Sequence, residues 1–164
     1  MITQSRLKEV LSYSPSTGIF EWIISTRKTK PGQIAGWSDK AGYIYIRIDK
    51  KLYAAARLAF LYMTGAWPRN GFADHINMVT SDNRWKNLRD ATKKINQENR
   101  RKASSNNKSG FLGVSPYKGR FIATINTSEN GRRTRHTLGY FDDPALGHRA
   151  YVRAKRRLHK GCTI

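Results

Sequence analysis

FADHINMVTSDNRWKNLRDATKKINQENR, residues 72–100, is the stretch on which the reading of this chain turns. A short apolar run closes on Asp74 and His75, and a polar loop rich in turn formers follows. NLRDA then predicts a short strand, and Thr92 stands where it can cap a helix behind it. On that helix Thr92, Ile95, Asn96 and Asn99 share one face by the i, i+3, i+4 rule, so Asn96 can point back at the strand. Neighbouring residues of a regular strand face opposite sides, so Asp74 and His75 serve one site only where the strand ends or bends. The loop after His75 supplies such an end.

Upstream, residues 3–12 predict a short amphipathic helix with Leu7, Val10 and Leu11 on one side, closed by YSPSTG. IFEWII reads as a strand, and after PGQIAG the alternation of GYIYIRID predicts another. KKLYAA returns beside it through a turn at residues 49–51, which makes a hairpin. Residues 56–65, ARLAFLYMTG, place Leu58, Leu61 and Tyr62 at helical spacing and end on a glycine stop signal. No internal repeat is visible.

Downstream, RRKASSNNKSG has no large apolar residue and reads as a linker or an exposed loop. Beyond it, residues 109–160 predict three antiparallel strands with a helix packed behind them. Phe121, Ala123 and Ile125 face that helix, which leaves Arg120, Thr124 and Asn126 on the other face. In the third strand Arg133, Arg135 and Thr137 alternate with Thr134, His136 and Leu138. The helix over 144–160 is expected to bury Leu146, Ala150, Tyr151, Ala154 and Leu158 and to turn Arg149, Arg153, Arg156 and Arg157 elsewhere. His136, His148 and His159 show no metal-ligand spacing.

Charge narrows the partner. The 164 residues carry 31 Lys and Arg against 11 Asp and Glu, a net +20. Residues 100–160 hold 15 of those cations against only Glu129, Asp142 and Asp143. Such a surface repels itself unless a polyanion neutralises it. No apolar run approaches the ~18 residues of a spanning helix, and MITQSRLKEV lacks the apolar core of a signal peptide, so a membrane is the weaker option. One cysteine, Cys162, excludes an intramolecular disulfide and any multi-cysteine zinc site, and a reducing cytoplasm fits best.

At this point the residues resemble a known family. Asp74-His75, the DNR of 82–84, the NLR of 87–89 and the asparagines at 96 and 99 resemble the HNH nuclease signature. Their spacing is similar to that of phage intron-encoded homing endonucleases, and the hairpin with ARLAF looks like the lead-in of that family. The resemblance covers roughly residues 40–100. It implies a ββα-metal element, two short strands and a helix around one divalent cation, with His75 as general base and Asp74 and Asn96 as metal ligands. It makes Asn87 the middle asparagine that braces the loop and aims the histidine. The chemistry asks for these residue types in its own right. Hydrolysis of a phosphodiester needs a water to lose a proton, and an imidazole with an ordinary pKa of about 6.5 accepts it at neutral pH. A hard cation such as Mg²⁺, or Mn²⁺ in its place, takes oxygen ligands and keeps positions open for water and phosphate. One departure stands out: relatives often carry histidine before the Arg-Leu pair, where this chain has Ala56-Arg57-Leu58.

FLGVSPYKGRFIATIN, the turn at SENG, GRRTRHTLGYFDD and the helix from Pro144 resemble the APETALA2-type DNA-binding domain. That family lays its sheet in the major groove, where arginine reads guanine and asparagine reads adenine. Positions that are often arginine there are Ser115, Tyr117 and Asn126 here, so the family's sequence preference does not transfer.

Together these readings predict an α+β chain in which residues 1–99 form an HNH module with its ββα-metal motif at about 72–100. A basic linker at 100–108 and an APETALA2-like domain at 109–164 follow. The expected function is metal-dependent DNA endonuclease of phage homing type, acting on double-stranded DNA in the cytoplasm of a phage-infected host, as monomer or homodimer, with no membrane and no small-molecule cofactor. Arg120, Thr124, Asn126, Arg133, Arg135 and Thr137 are the expected DNA contacts. The rival is a catalytically impaired HNH-scaffold regulator that binds DNA without cutting, and an RNA-directed nuclease is a third possibility.

Overall fold

The computed structural model describes all 164 residues, and the chain divides by its contacts into two units, Met1–Lys93 and Lys94–Ile164. Strands and helices are mixed along its length, an α+β chain.

The first unit opens with α1 (Gln4–Val10), whose N-terminus is capped by the Thr3 hydroxyl accepting from the Arg6 amide. Leu11 is already in β1 (Leu11–Ser14), which pairs antiparallel with β2 (Ile19–Trp22). A short β3 (Trp37–Ser38) lies beside β4 (Ile44–Ile48), and β4 pairs with β5 (Lys51–Ala54). The β4–β5 register is closed by Asp49 and Lys50, both at positive φ, as a two-residue hairpin turn requires. Arg6 reaches that turn with a two-pronged bond to the Asp49 carboxylate, at 3.1 and 3.0 Å, and so ties α1 to the hairpin. The helix α2 (Ala55–Thr64) follows at once and stops at Gly65, whose φ of 74° lets its amide bond Leu61 O. Ala55, Ala56, Leu58, Ala59, Phe60 and Leu61 are all buried, so α2 is the centre of the core, with Leu7, Val10, Leu11, Ile46 and Ile48 around it. Ala56, whose place before Arg57-Leu58 is often histidine in the family the sequence resembles, packs in this core.

Next come β6 (Phe72–His75), a 3₁₀ turn (Trp85–Asn87), β7 (Leu88–Ala91) and α3 (Lys93–Glu98), in strand, strand, helix order. β6 and β7 form a two-stranded antiparallel ladder in the first unit, and α3 from Lys94 on belongs with the second. The Trp85 ring packs edge-on against Phe60 at 5.0 Å and fastens the 3₁₀ turn to α2.

In the second unit β8 (Val114–Tyr117), β9 (Arg120–Glu129) and β10 (Arg132–Phe141) form a three-stranded antiparallel sheet with β9 in the centre. The helix α4 (Pro144–Leu158) packs on one face, begun by Asp143, whose carboxylate accepts from the Ala145 amide at 2.8 Å. Val114, Ala123, Ile125, Tyr151 and Ala154 are buried in this unit. The buried stripe of α4 differs from the expected one: Leu146 and Leu158 are exposed, and Gly147, Tyr151, Ala154 and Lys155 are buried. Gly147 sets this rotation, because a β-carbon there would already touch Phe141 and Val114, so the helix lies close to the sheet on its small residue. Lys155 is tolerated inside because its ammonium donates to Arg100 O, although burial still lowers its pKa.

Residues 100–108 carry no regular element and belong with the second unit, where Arg101 donates to the carbonyl and hydroxyl oxygens of Thr163. The chain's end also holds α3: Gly161 N donates to the buried Glu98 carboxylate, and the Thr163 hydroxyl bonds Asn99 Oδ1 at 2.5 Å. No helix is long and apolar enough to cross a membrane.

Candidate active site

The β6–β7 ladder pairs Asp74 with Arg89 and His75 with Leu88, and β6 ends at His75 itself. Both side chains of the Asp-His pair are buried, each residue 4% exposed. Cross-strand partners share a face, which places Arg89 against Asp74, and its Nε donates to Asp74 Oδ2 at 2.8 Å. Arg89 was part of the sequence pattern without a role; its role as the partner of Asp74 follows from the strand register.

After His75 the chain turns: Met78 sits at a φ of 65° and its amide returns to His75 O at 3.0 Å. The loop from residue 76 to the 3₁₀ turn is built around Asn87. Its Oδ1 accepts from the Asn77 amide at 3.0 Å, and its Nδ2 donates to Asn77 Oδ1 and to Asp82 O at 2.9 and 2.7 Å. Asn87 O also receives the Ile76 amide. Asn77 is a residue the sequence reading missed; its one signal was its place in a turn-forming run, where asparagine bonds its own backbone neighbours. Asp82 accepts from Asn77 Nδ2 at 2.7 Å and from Arg84 Nε at 2.7 Å. The Arg84 guanidinium, with these further bonds, holds the Asp82 carboxyl well below the usual carboxylate range.

Asn83 touches the histidine, with its Oδ1 3.1 Å from His75 Nε2. The expectation assigned both bracing and aiming to Asn87; in the structure Asn87 contacts the loop and Asn83 contacts the imidazole. Tyr43 flanks the same ring, with centroids 6.1 Å apart.

Of the two metal candidates, Asp74 is buried in the first unit and Asn96 lies half-buried on α3 in the second. No group of three or more His, Cys, Asp or Glu forms a ready-made metal cluster. The Asp74 carboxylate is an oxygen donor of the kind a hard divalent cation takes.

The six expected DNA contacts lie on one face of the second unit's sheet, opposite α4. Arg135 pairs with Asn126 and Thr137 with Thr124, while Arg133 stands opposite Ser128. Past Thr137 a bulge shifts the register so that Tyr140 pairs with Ile122 and joins this same face, where Tyr117 lies 5.3 Å from it. Both tyrosines are exposed. Arg120 is occupied differently from the other two arginines, since its guanidinium is bonded to Asp142 at 2.7 and 3.2 Å.

Residues 53–98 match the family model described as HNH endonuclease. No curated protein and no solved structure matches the chain. The segment from Tyr53 in β5 to Glu98 at the end of α3 is therefore similar to an HNH endonuclease domain, which supports a nuclease at the level of the family.

Proposed function

We propose that the chain is a divalent-metal-dependent DNA endonuclease of the phage homing type, with an APETALA2-like sheet in its second unit that holds or chooses the DNA. The observation that carries this is His75, buried at the end of β6 beside the buried Asp74, with its ring held by Asn83 inside the matched segment. His75 takes the proton of the attacking water. Asp74 is the carboxylate ligand of the metal, Mg²⁺ or Mn²⁺, and Asn87 keeps the loop that carries Asn83 in shape. A bound divalent cation supplies charge neutralisation at the scissile phosphate and its leaving oxygen. The net charge of +20 draws the duplex to the protein.

Incubation with supercoiled plasmid and phage DNA is the direct test. Conversion to nicked or linear circles with Mg²⁺, and none with EDTA, is the expected result. One such site cuts one strand per event, so a monomer produces nicked circles and a homodimer linear ones. The regulator reading, which rests on Ala56, predicts plasmid that is bound and stays supercoiled in both arms.

The sheet reading makes a separate prediction. Arg135 and Asn126, opposite one another on the exposed face, are suited to guanine and adenine on neighbouring base pairs. Alanine at either position is expected to relax preference at one base position at a cost of about 1–3 kcal/mol, whereas Arg120→Ala changes little because Asp142 already holds that guanidinium. Gel-shift titrations of the full chain on selected and scrambled duplexes at two salt concentrations check this. Uniform weakening on all sequences would reduce Arg135 and Asn126 to backbone contacts.

A further inference from the structure

We propose that Asn83 is the positioning residue for His75, and that the turn between β1 and β2, outside the matched segment, is part of the same device. The proposal rests on the reading of His75 as proton acceptor. Asn83 is 3% exposed, and its Nδ2 lies 3.4 Å from Ser81 O, an atom that only accepts. That contact orients the amide, so the oxygen is what faces the imidazole at 3.1 Å. A carboxamide oxygen accepts as well, so Nε2 carries the hydrogen of the neutral ring and Nδ1 is its basic nitrogen.

Asn83 is itself held from the far end of the sequence. Its carbonyl accepts the Tyr13 hydroxyl at 2.7 Å, and the Tyr13 ring stacks on Phe20 at 4.6 Å. Burial, together with the charge of Asp82, pushes the Tyr13 hydroxyl up to about 12, so it stays a donor throughout the neutral range. The Trp85 amide donates to Pro15 O at 2.9 Å. Gly18, at a φ of 78°, passes so close that a β-carbon would fall 2.4 Å from both Asn83 C and Arg84 N. The hairpin thus grips the backbone at the Asn83 carbonyl and at the two residues after it, and a polar partner that fixes a histidine's tautomer governs which nitrogen reacts.

The test uses the full chain with ¹⁵N-labelled histidine, read by long-range proton–nitrogen correlation above the imidazole titration range. His75 is assigned by the signal that His75→Gln removes. The wild-type ring is expected as the Nε2–H tautomer. Asn83→Leu, which removes the acceptor, is expected to give mixed tautomers and to lower kcat roughly 10- to 100-fold with KM within about two-fold. Asn83→Asp keeps an acceptor oxygen and is expected to keep the tautomer and to recover much of the rate that Asn83→Leu loses. Tyr13→Phe, one contact removed, is expected to fall between wild type and Asn83→Leu. An Nδ1–H ring in the wild type overturns the proposal, as does an Asn83→Leu protein with unchanged tautomer and rate. A changed tautomer with an unchanged rate overturns the catalytic role of His75 and the positioning role with it, while leaving the contact in place. Should Asn83→Leu not fold, the wild-type spectrum and Asn83→Asp decide the matter.

Discussion

His75→Ala is expected to slow DNA cleavage by roughly 10²- to 10⁴-fold, the range over which a positioned general base acts, and to leave affinity for the duplex nearly unchanged. The two halves of that expectation have one cause. His75 is buried at the end of β6 with its ring bonded to Asn83, and it is not among the proposed DNA contacts, which belong to β9 and β10. Its contribution is a proton accepted as the water attacks, an interaction made in the transition state and not in the bound ground state. Single-turnover rates with Mg²⁺, set beside gel shifts in EDTA, separate these quantities. Thermal unfolding of the variant guards against a trivial loss, because the substitution also leaves Asn83 Oδ1 without its ring partner in a buried place. A folded variant that cuts at the wild-type rate would remove His75 from the mechanism.

Asp74→Ala is expected to abolish most cleavage, by about 10² or more, and to raise the Mg²⁺ concentration needed for what remains. Asp74 has two jobs that can be taken apart. It accepts the Arg89 guanidinium across the ladder at 2.8 Å, and it is the proposed carboxylate ligand. Losing the first job costs stability, though less than the about 3–5 kcal/mol of a fully buried pair, because the Arg89 side chain is 25% exposed and water can reach it. The double variant Asp74→Ala with Arg89→Leu removes both charges and is expected to regain thermal stability without regaining cleavage. Recovery of cleavage in that protein would mean that Asp74 serves only as the partner of Arg89. Melting temperatures and Mg²⁺ titrations of plasmid nicking, on the single and double variants, give the answer.

The elements that were legible in the sequence are those whose signals lie within a few residues. The alternation at residues 44–48, two residues at the turn and the return at 51–54 make a hairpin by local pairing alone. The helix ending at Gly65 carries its own stop, and the long strands at 120–129 and 132–141 are joined by Asn130 and Gly131, both at positive φ. The side of that sheet on which Arg135, Asn126, Thr137 and Thr124 fall also follows from period-two alternation. Beyond Thr137 the alternation fails, because a single extra residue at the bulge turns Tyr140 to the exposed face.

By itself, then, the amino-acid sequence determined the α+β class, the order of the elements other than β1 and β3, the basic character and the Asp-His pair followed by a turn-rich loop, since each depends on composition or short-range periodicity. Tertiary structure alone decided which side chain meets which. Asn83 and not Asn87 meets His75 because a loop closed by Asn77 and Asp82 presents it there, and Tyr13 reaches it from 70 residues away. Arg89 meets Asp74 through the register of two strands, and Lys155 takes an interior place on α4 while Leu146 and Leu158 stay outside because Gly147 brings one stripe of the helix against the sheet. The physical reason is common to all three: such contacts are set by steric fit and hydrogen-bond satisfaction between segments far apart in the chain, and local propensity carries no information about either.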